Sequence, residues 1–460
     1  MEPVILGDAA QAVGGLLLGD AGTSIRRVTT DSRDVRAGDL FVCLRGERHD
    51  GHDFAAGALR AGAAAVLTDR ELPGLRPQLV AGDALVALGA LAAHTRRRLE
   101  GARCPLVVGV TGSNGKTTTK ELIAAALLPR GPVVASERSF NNALGVPLTL
   151  LKLSHATRSA VIEMGTNAPG EIAGLAALAR PHVGVITNVQ PAHLAGLGSV
   201  EGVRREKGSL LAGLSGPRLS VLNRDDPCFE ALAASAPGPV LSFGVHAAAD
   251  VRATQVRCLP EGTRFRLDSR RTVSLRLLGE HAASNALAAL AVARAAGVDE
   301  DAAVAALAQV NSPPGRLSVS HTREFTIVDD TYNANPGSFA AALAAVSRAR
   351  LPGRLVVVAG EMLELGDEAA ALHEAAGRQV AAAGATLLVA VGPRARDVVA
   401  GARRGGLSAG AARACASQAE AEAVLREALR PGDVVLLKGS RGARLENLAA
   451  RLSTDVGTAA

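Results

Sequence analysis

The sequence predicts an α/β protein of three domains: a small α/β domain over residues 1–102, a central domain with a doubly wound parallel sheet over 103–314, and a second, Rossmann-like sheet over 315–460. A chain of 460 residues has room for roughly two to four domains. Short apolar runs alternate with helical stretches, which is typical of parallel sheets with crossover helices. Two segments rich in glycine or proline interrupt the alternation and mark the predicted boundaries.

The first domain is predicted from two strand-like runs and two helical ones. DLFVCL (39–44) and AAVLT (64–68) are short and apolar, and we expect them to be strands. Apolar spacing predicts helices over Asp53–Ala61 and Asp83–Leu99. The segment GARCP (101–105) breaks the pattern and gives the first boundary.

The central domain begins with a buried strand, Leu106–Val110, followed by a glycine turn and a helix over Lys116–Leu128. Three polar-alternating runs predict an antiparallel meander, and a helix over Ala282–Ala296, ended by Gly297, follows it. The other predicted strands are Val133–Ala135, Ala160–Met164, Val183–Thr187, Leu219–Leu222 and Val240–Phe243, and the meander runs are Val251–Arg257, Arg264–Leu267 and Val273–Leu277.

The last domain follows a second boundary, NSPPG (311–315). Apolar runs separated by alanine-rich helical stretches predict a second doubly wound sheet there. Its predicted strands are Thr326–Asp329, Leu355–Ala359, Thr386–Val391 and Val434–Lys438.

Composition favours a globular protein with a small anionic substrate. Apolar residues make up 48% of the chain and charged residues 20%, which argues against disorder. The net charge is +6, but the arginines are scattered and aromatic residues are only 2%, so nucleic-acid bases would find few stacking partners. We therefore expect no nucleic-acid partner, and a mild basic excess suits an anionic substrate equally well.

The cysteines and the first residues favour the cytoplasm. The five cysteines are odd in number and form no CxxC pair, as expected of reduced thiols. The start MEPVILGDAA has no basic stretch, so no secretory signal is predicted. No apolar run approaches the roughly 18 residues of a membrane span, so no integral membrane segment is expected.

The strongest local signal is VVGVTGSNGKTTTKE (107–121), where a strand feeds a glycine turn that opens a helix. Backbone N–H groups and the helix dipole of such a loop hold phosphate. Lys116 can reach the β- and γ-phosphates of ATP, and the Thr117 hydroxyl can bind Mg²⁺. The spacing departs from GxxxxGK[ST], because Val110 stands five residues before Gly115. The alternative is a glycine-rich turn with no ligand. The predicted ATP-binding residues of the loop are Gly112, Ser113, Asn114, Gly115, Lys116, Thr117 and Thr118.

Two polar residues follow neighbouring predicted strands. Glu163 ends one strand, and His193 stands six residues beyond the end of the next. Ligand sites in such sheets lie at the carboxyl ends of strands, so Glu163 can hold Mg²⁺ opposite Thr117. The alternatives are an ordinary strand-end carboxylate and a surface histidine.

Several motifs, taken together and in their order, resemble the Mur ligases. This resemblance covers all three predicted domains. The motifs are TGSNGKTTTKE (111–121), SFNNALGVPLTLL (139–151), VIEMGTNAPGEI (161–172), NVQPAHLAGLGSVEGV (188–203), GEHAASNALAALA (279–291), PPGRL (313–317), VDDTYNANPGSF (328–339), AGEMLELG (359–366) and LLKGSRGARLE (436–446).

Within that family, NNALGVP and DDTYNANP resemble the members that add D-alanyl-D-alanine to a UDP-linked muramoyl tripeptide. The members that add diaminopimelate or lysine carry an Asp-Asn-Pro-Arg box, which is missing here. Folylpolyglutamate synthases share the phosphate loop but lack the pattern found at Asp31–Arg33 and Gly38–Phe41.

The resemblance implies roles around the phosphates. Lys116, His193 and Lys207 are implied as catalytic residues. Thr117, Glu163 and His193 are implied Mg²⁺ ligands, and Lys207 is implied to be carbamylated and to help bind a second Mg²⁺. A solvated helix lysine is the alternative for Lys207, since it stands in a charged run.

The resemblance also implies contacts to the rest of ATP and to the substrates. His281 and Asn285, one helical turn apart, resemble the pair that meets adenine. Arg316 and Asp330 resemble the last domain's nucleotide contacts. The implied substrate-binding residues are Ser32 and Arg33 at the uridine diphosphate end, with Asn141, Asn142, Asn188, Tyr332, Asn333 and Asn335. For the last three, turn chemistry is the alternative.

The implied reaction is ATP-dependent ligation through an acyl phosphate, with two Mg²⁺ ions, in a protein that we expect to be a monomer. Domain closure is also expected, because an acyl phosphate must be kept from water. Two other classes stay open at this point. One is a different Mur-type or folylpolyglutamate-type ligase, and the other is an NTPase switch that would share Lys116 and Thr117.

Overall fold

The computed structural model describes residues 1–101 and 104–454, with the backbone alone for Thr454. The first predicted boundary, between 102 and 103, and the last six residues lie outside this range. The described chain forms three large sheets, one within each predicted domain, and a two-stranded pair near the N-terminus. The predicted α/β class and three-part architecture are therefore confirmed.

The N-terminal sheet has the strand order β2-β7-β6-β5-β4, in which β4 to β7 run parallel and β2 is antiparallel to β7. The predicted helix over Asp53–Ala61 is wrong at its start, because the Asp50 side chain accepts from His52 N and caps a 3₁₀ turn over Gly51–Phe54. The strands are β1 (Val4–Ile5), β2 (Leu16–Leu18), β3 (Ser24–Ile25), β4 (Arg27–Thr29), β5 (Asp39–Val42), β6 (Ala65–Thr68) and β7 (Gln78–Val80), and the helices are α1 (Leu6–Val13), α2 (Ala55–Arg60) and α3 (Ala84–Arg98).

The central sheet has nine strands in the order β16-β15-β14-β13-β12-β11-β8-β10-β9. The predicted meander is confirmed, and it continues the parallel sheet because β14 pairs parallel with β13. The strands are β8 (Leu106–Thr111), β9 (Val133–Ala135), β10 (Ser159–Glu163), β11 (Val183–Ile186), β12 (Leu219–Asn223), β13 (Val240–Gly244), β14 (Val251–Leu259), β15 (Gly262–Leu267) and β16 (Arg271–Leu275). The helices are α4 (Lys116–Leu127), α5 (Gly145–Leu150), α6 (Glu171–Ala179), α7 (Leu194–Leu197), α8 (Val200–Ala212), α9 (Phe229–Ala234), α10 (Glu280–Ala295) and α11 (Glu300–Leu307).

The C-terminal sheet has six strands in the order β17-β18-β22-β19-β20-β21, all parallel except the edge strand β17. A turn over 313–316, closed by Arg316 N donating to the Pro313 carbonyl, joins it to the central region. The strands are β17 (Ser318–His321), β18 (Thr326–Asp330), β19 (Leu355–Ala359), β20 (Leu387–Val391), β21 (Ala412–Cys415) and β22 (Val434–Lys438), and the helices are α12 (Pro336–Ala349), α13 (Ala369–Ala382), α14 (Ala395–Arg404), α15 (Gln418–Ala428) and α16 (Leu445–Thr454).

Helix α3 fixes the N-terminal sheet against the central one. Its apolar face shares one hydrophobic core with α5 and α6. Arg96, buried at the end of α3, donates from Nε to the Ala179 carbonyl at 3.0 Å and from Nη2 to the Arg180 carbonyl at 3.2 Å. The guanidinium thereby satisfies the Ala179 carbonyl at the end of α6 and shares the Arg180 carbonyl with Ser215 Oγ.

In the described part of the chain, no helix is both long and apolar enough to cross a bilayer.

Candidate active site

The phosphate loop connects β8 to α4, and close packing explains its glycines. Gly115 has φ = 81°, in the left-handed region, and a Cβ there would lie 2.6 Å from Asn285 Oδ1. A Cβ at Gly112 would lie 1.8 Å from Thr187 Oγ1. Because α10 packs along α4, the predicted adenine contact Asn285 lies directly against the loop.

Asn188 holds the loop from the neighbouring strand end. Asn114 N donates to Asn188 Oδ1 at 2.9 Å, and Asn188 Nδ2 donates to the Asn114 carbonyl at 3.1 Å. Thr187 Oγ1 donates to the same carbonyl at 2.6 Å. Asn188, predicted to bind substrate, thus uses both ends of its amide to shape the phosphate loop.

We predict that Gly115→Ala weakens ATP binding and that Gly170→Ala does not. Both glycines precede a helix with positive φ, 81° and 88°, so each substitution costs roughly 1–2 kcal/mol of backbone strain. No atom lies within 4 Å of a Cβ built at Gly170, whereas at Gly115 the Asn285 amide must move. Urea unfolding measures the shared cost, and the KM for ATP measures the difference. Equal KM values for the two variants would contradict the proposed contact of loop and amide with ATP.

Lys116 is the first residue of α4 and lines a cavity between the domains. Its Nζ donates to the Gly112 carbonyl at 2.8 Å. Burial lowers the pKa of the Lys116 ammonium, Arg316 adds to that shift, and Glu163 opposes it. Bound phosphate groups would supply the negative charge that this ammonium lacks in the free protein.

Thr117, in the first turn of α4, and Glu163, at the end of β10, line the same cavity, and their oxygen chemistry suits Mg²⁺. Glu163 Oε1 accepts from Asn141 Nδ2 at 2.8 Å. The other carboxylate oxygen, Oε2, and the Thr117 hydroxyl are both buried and have no hydrogen-bond partner. An unpaired buried oxygen is costly unless a ligand satisfies it. Two such atoms beside a phosphate loop fit a hard cation that takes oxygen ligands.

Protein side chains alone do not complete a metal site here. Within residues 1–101 and 104–454, no group of three or more His, Cys, Asp or Glu side chains could hold a metal ion. This is consistent with Mg²⁺, which binds through one or two protein oxygens and takes its other ligands from phosphates and water.

His193 reaches across to the C-terminal domain. It has φ = 54°, and its Nδ1 lies 2.5 Å from Glu364 Oε2. The backbone follows the same path, because Ala195 N donates to the Glu364 carbonyl at 3.4 Å. The hydrogen bond from His193 lowers the pKa of the Glu364 carboxyl. If Nδ1 carries the proton, Nε2 keeps the lone pair that a metal ligand needs.

Lys207 is buried on α8, with its side chain facing the interior of the central domain. It is 1% exposed, so a solvated surface lysine, the alternative raised by the charged run, is wrong. Burial first, and Lys116 second, lower the pKa of Lys207 well below its usual range. In the described part of the chain its amine forms no hydrogen bond or ion pair, whereas the neighbouring Glu206 carboxylate accepts from Gly170 N and Ile172 N.

The C-terminal domain contributes a stacked arginine and a buried ion pair. The Arg316 guanidinium carbon lies 4.1 Å from the centroid of the Tyr332 ring, and the Tyr332 hydroxyl hydrogen-bonds with Ser139 of the central domain. Asp330 accepts from Lys438 Nζ at 2.6 Å, and Lys438 also donates to the Asn333 carbonyl at 3.0 Å. Lys438 therefore fixes both Asp330 and the loop that follows it.

Asn335 joins the two larger domains. It caps α12, since its Oδ1 accepts from Ser338 N at 2.8 Å, which is local backbone chemistry of the kind raised as the alternative to substrate binding. Its Nδ2 also donates to Asn114 Oδ1 at 2.8 Å, and Asn114 Nδ2 donates to Gln190 Oε1 at 2.7 Å. One amide cluster thus connects the phosphate loop to the first helix of the C-terminal domain.

A cavity of about 1050 Å³, called the first cavity below, collects most of the predicted site. Its walls come from all three domains, because Leu85 and Val86 of α3 also line it. Predicted residues in its lining are Ser113, Asn114, Gly115, Lys116, Thr117, Thr118, Asn141, Asn142, Glu163, Asn188, His193, His281, Asn285, Arg316, Asp330, Tyr332, Asn333 and Asn335.

Four predicted residues lie outside this lining. Gly112 and Lys207 are packed behind it. Ser32 and Arg33 lie in a 3₁₀ turn of the N-terminal domain, where Arg33 pairs with Asp31 and has a side chain that is 88% exposed. A substrate that reaches from Ser32 and Arg33 to Lys116 must therefore be extended.

The polar residues absent from the predicted set include Glu364, which pairs with His193, and Lys438 and Gln190, which line the cavity. Glu364 and Lys438 lie in the motifs AGEMLELG and LLKGSRGARLE. Each motif includes the end of a predicted strand, and this position could have indicated that its polar residues belong to the site. Gln190 also lies in such a motif, NVQPAHLAGLGSVEGV, just after β11, but its contact with Asn114, 76 residues away in sequence, has no local signal.

Comparisons with known proteins agree along the whole chain. Sequence models match the Mur ligase family catalytic domain over residues 24–135, the Mur ligase middle domain over 110–293 and the Mur ligase glutamate ligase domain over 315–441. The fold and the site define an ATP-dependent amide-bond ligase, and the chain belongs to the Mur ligase family.

Within this family the chain is similar to UDP-N-acetylmuramoyl-tripeptide–D-alanyl-D-alanine ligases. It is 36% identical to the Escherichia coli protein, with 99% of each chain covered, and 35% identical to the Bacillus subtilis protein, with 93% of each covered. A crystal structure of MurF from Acinetobacter baumannii superposes with a TM-score of 0.89 at 33% identity over 99% of each chain. MurF ligase from Thermotoga maritima in complex with ADP gives 0.82 at 30% identity, over 94% of this chain and 98% of that one. A Mycobacterium tuberculosis folylpolyglutamate synthase, 18% identical with a TM-score of 0.60, shares the fold alone.

Proposed function

We propose that this protein joins D-alanyl-D-alanine to UDP-N-acetylmuramoyl-tripeptide at the expense of ATP, giving the pentapeptide precursor of peptidoglycan. The observation that supports this most strongly is the cavity between the domains, which places a phosphate loop, two unpaired buried oxygens and a C-terminal arginine around one space. Relatives named UDP-N-acetylmuramoyl-tripeptide–D-alanyl-D-alanine ligase match nearly the whole chain.

The proposed reaction has two steps. The terminal carboxylate of the tripeptide attacks the γ-phosphorus, ADP leaves and an acyl phosphate forms. The amine of the dipeptide then attacks the carbonyl carbon, and phosphate leaves. The protein contributes mainly positioning and charge. We assign Lys116 to the γ-phosphoryl group, His281 and Asn285 to adenine, and Arg316 to the nucleotide from the C-terminal side.

Thr117, Glu163 and His193 are the proposed holders of Mg²⁺. A bound Mg²⁺ neutralises phosphate charge, which lowers the repulsion between an anionic carboxylate and ATP. Asn141 orients the Glu163 carboxylate through the bond at 2.8 Å, and Glu364 orients the His193 ring. These partners keep the oxygen and nitrogen lone pairs directed at the first cavity.

Lys207 is proposed to act as a carbamate. Burial and the nearby Lys116 favour its neutral amine, which is the form that reacts with CO₂. That reaction forms an N–C bond, releases a proton and turns a cationic side chain into an anionic one with two oxygens. Such a group can bind a second Mg²⁺, whereas an ammonium would repel it.

The substrate requirement tests the proposed function. Phosphate release in a coupled assay is expected to need ATP, the UDP-muramoyl tripeptide and D-alanyl-D-alanine together. Release with ATP alone would instead indicate an NTPase. Turnover with a different amine and acceptor, but not with this pair, would indicate another ligase of the family.

We further predict that ligands favour the domain contacts described above. The amide cluster at Asn335 and the pair of His193 with Glu364 both join the central domain to residues 315–454. A non-hydrolysable ATP analogue bound with Mg²⁺ and the tripeptide substrate should therefore lower the radius of gyration in small-angle scattering. An unchanged radius at saturation would count against closure, and the analogue without the tripeptide serves as the control.

A further inference from the structure

A second cavity, of about 1220 Å³, opens beside the first and has no role in the account above. The two cavities share a wall, which consists of Thr117, Ser139, Asn141, Asn142, Gly315, Arg316 and Tyr332. A molecule bound in the second cavity would therefore lie within reach of the proposed phosphoryl-transfer centre at Thr117.

The second cavity is lined largely by apolar side chains, some of them large, such as Leu128, Phe140 and Val310, and several of them short. Ala124 and Ala125 of α4, Ala135 at the end of β9, and Pro313 and Pro314 of the connecting turn contribute short side chains. Short side chains in the wall can pack against the methyl groups of a bound molecule. We therefore expect a ligand with small side chains.

The lining of the second cavity also includes a charged residue with no partner among the described residues. Arg441 follows β22 and lines the cavity, and its guanidinium carbon lies 5.7 Å from the centroid of the Tyr332 ring. Among residues 1–101 and 104–454, its side chain forms no ion pair and no hydrogen bond. The guanidinium carbon of Arg316 lies 4.1 Å from the centroid of the same ring, and Arg316 lines both cavities. Arg441 is thus an exposed cation that lines the second cavity and not the first.

We propose that the second cavity binds the acceptor of the ligation, a short dipeptide with small side chains, and that Arg441 binds its carboxylate. This inference rests on the proposed function and specifies where its second substrate sits. A guanidinium pairs with a carboxylate through two parallel hydrogen bonds, which fixes both position and orientation. With the carboxylate held at Arg441, the amine end of the dipeptide can point toward Thr117 and the shared wall.

The chemistry then balances without another reactant. The neutral amine attacks the carbonyl carbon of the acyl phosphate, so a C–N bond forms and the C–O bond to phosphorus-bound oxygen breaks. The proton that the amine loses leaves with the departing phosphate. Glu446 also lines the cavity and is exposed, so its carboxylate can attract the ammonium form of the dipeptide, which loses its first proton to solvent before the attack.

The test removes the cation and the carboxylate separately. D-Alanyl-D-alaninamide lacks the carboxylate, so the wild type should show a KM for it at least about 10-fold above that for D-alanyl-D-alanine, as expected for a charge-assisted contact. In Arg441→Ala the KM for the dipeptide should rise by a similar factor, and the two KM values should become equal. Arg444→Ala is the matched control, because Arg444 is exposed on the same segment and does not line the cavity.

Hydroxylamine separates this inference from the proposed function. It reacts with acyl phosphates without needing a dipeptide site, so Arg441→Ala should form tripeptide hydroxamate at the wild-type rate. A wild type that forms neither hydroxamate nor pentapeptide would refute the proposed function. A wild type that ligates normally, combined with an Arg441→Ala variant that still discriminates dipeptide from amide, would overturn the assignment of Arg441 alone. Arg138 is another arginine that lines the second cavity, so loss of discrimination in Arg138→Ala rather than in Arg441→Ala would also overturn it.

Discussion

Lys116→Ala is expected to lower kcat by at least about 100-fold, as does the loss of other preorganised charge contacts in active sites. Lys116 Nζ lies at the phosphate loop and bonds only to loop carbonyls of Gly112 and Ser113 among the described residues. The variant therefore loses charge that would stabilise the transferring phosphoryl group. Steady-state phosphate release with saturating substrates measures the effect.

The fold of this variant should persist, because no buried ion pair is lost. Its urea midpoint is expected to stay near that of the wild type. Lys152→Ala is the control, since Lys152 pairs with Glu137 at the surface and lines neither cavity. Near-normal ligation by folded Lys116→Ala would remove Lys116 from the mechanism.

Lys207→Ala is expected to lose activity to a similar degree, and short carboxylic acids such as acetate should restore part of it. The substitution removes the side chain that would carry the carbamate and leaves space in the buried site. A small carboxylate can occupy that space and supply the missing oxygens. Exhaustive removal of CO₂ should also slow the wild type reversibly.

Arg205→Ala provides the matched control for Lys207. Arg205 lies two residues away on α8 but is exposed, so its loss should leave kcat unchanged. A fully active Lys207→Ala enzyme would end the carbamate proposal. An inactive one that no carboxylate rescues, with a normal unfolding transition, would assign Lys207 a different role.

The parallel sheets of the two larger domains could be predicted because their strands are buried on both faces. Leu355–Ala359 and Val434–Lys438 were predicted with the bounds that the structure gives them. In the sequence, strands buried on both faces are continuous apolar runs, which makes them recognisable. The N-terminal strands Leu16–Leu18 and Arg27–Thr29 have three residues each and lie at sheet edges, so neither length nor periodicity distinguished them from loops.

Local chemistry at the site was predictable, whereas contacts between domains were not. The phosphate loop is a single segment, and its strand, turn and helix lie where the sequence predicted them. By contrast, 171 residues separate His193 from Glu364, and 221 separate Asn114 from Asn335. Nothing in the spacing of such residues shows that they meet, because the meeting depends on how two folded domains pack.

The central claim, ligation through an acyl phosphate, predicts where one oxygen atom goes. When both oxygens of the tripeptide's terminal carboxylate carry ¹⁸O, its attack on the γ-phosphorus places one labelled oxygen between carbon and phosphorus. Attack of the dipeptide amine then releases that oxygen with phosphate. Mass spectrometry should find one ¹⁸O in the inorganic phosphate and one in the new amide for each pentapeptide formed. Pentapeptide formed together with unlabelled phosphate would contradict the account.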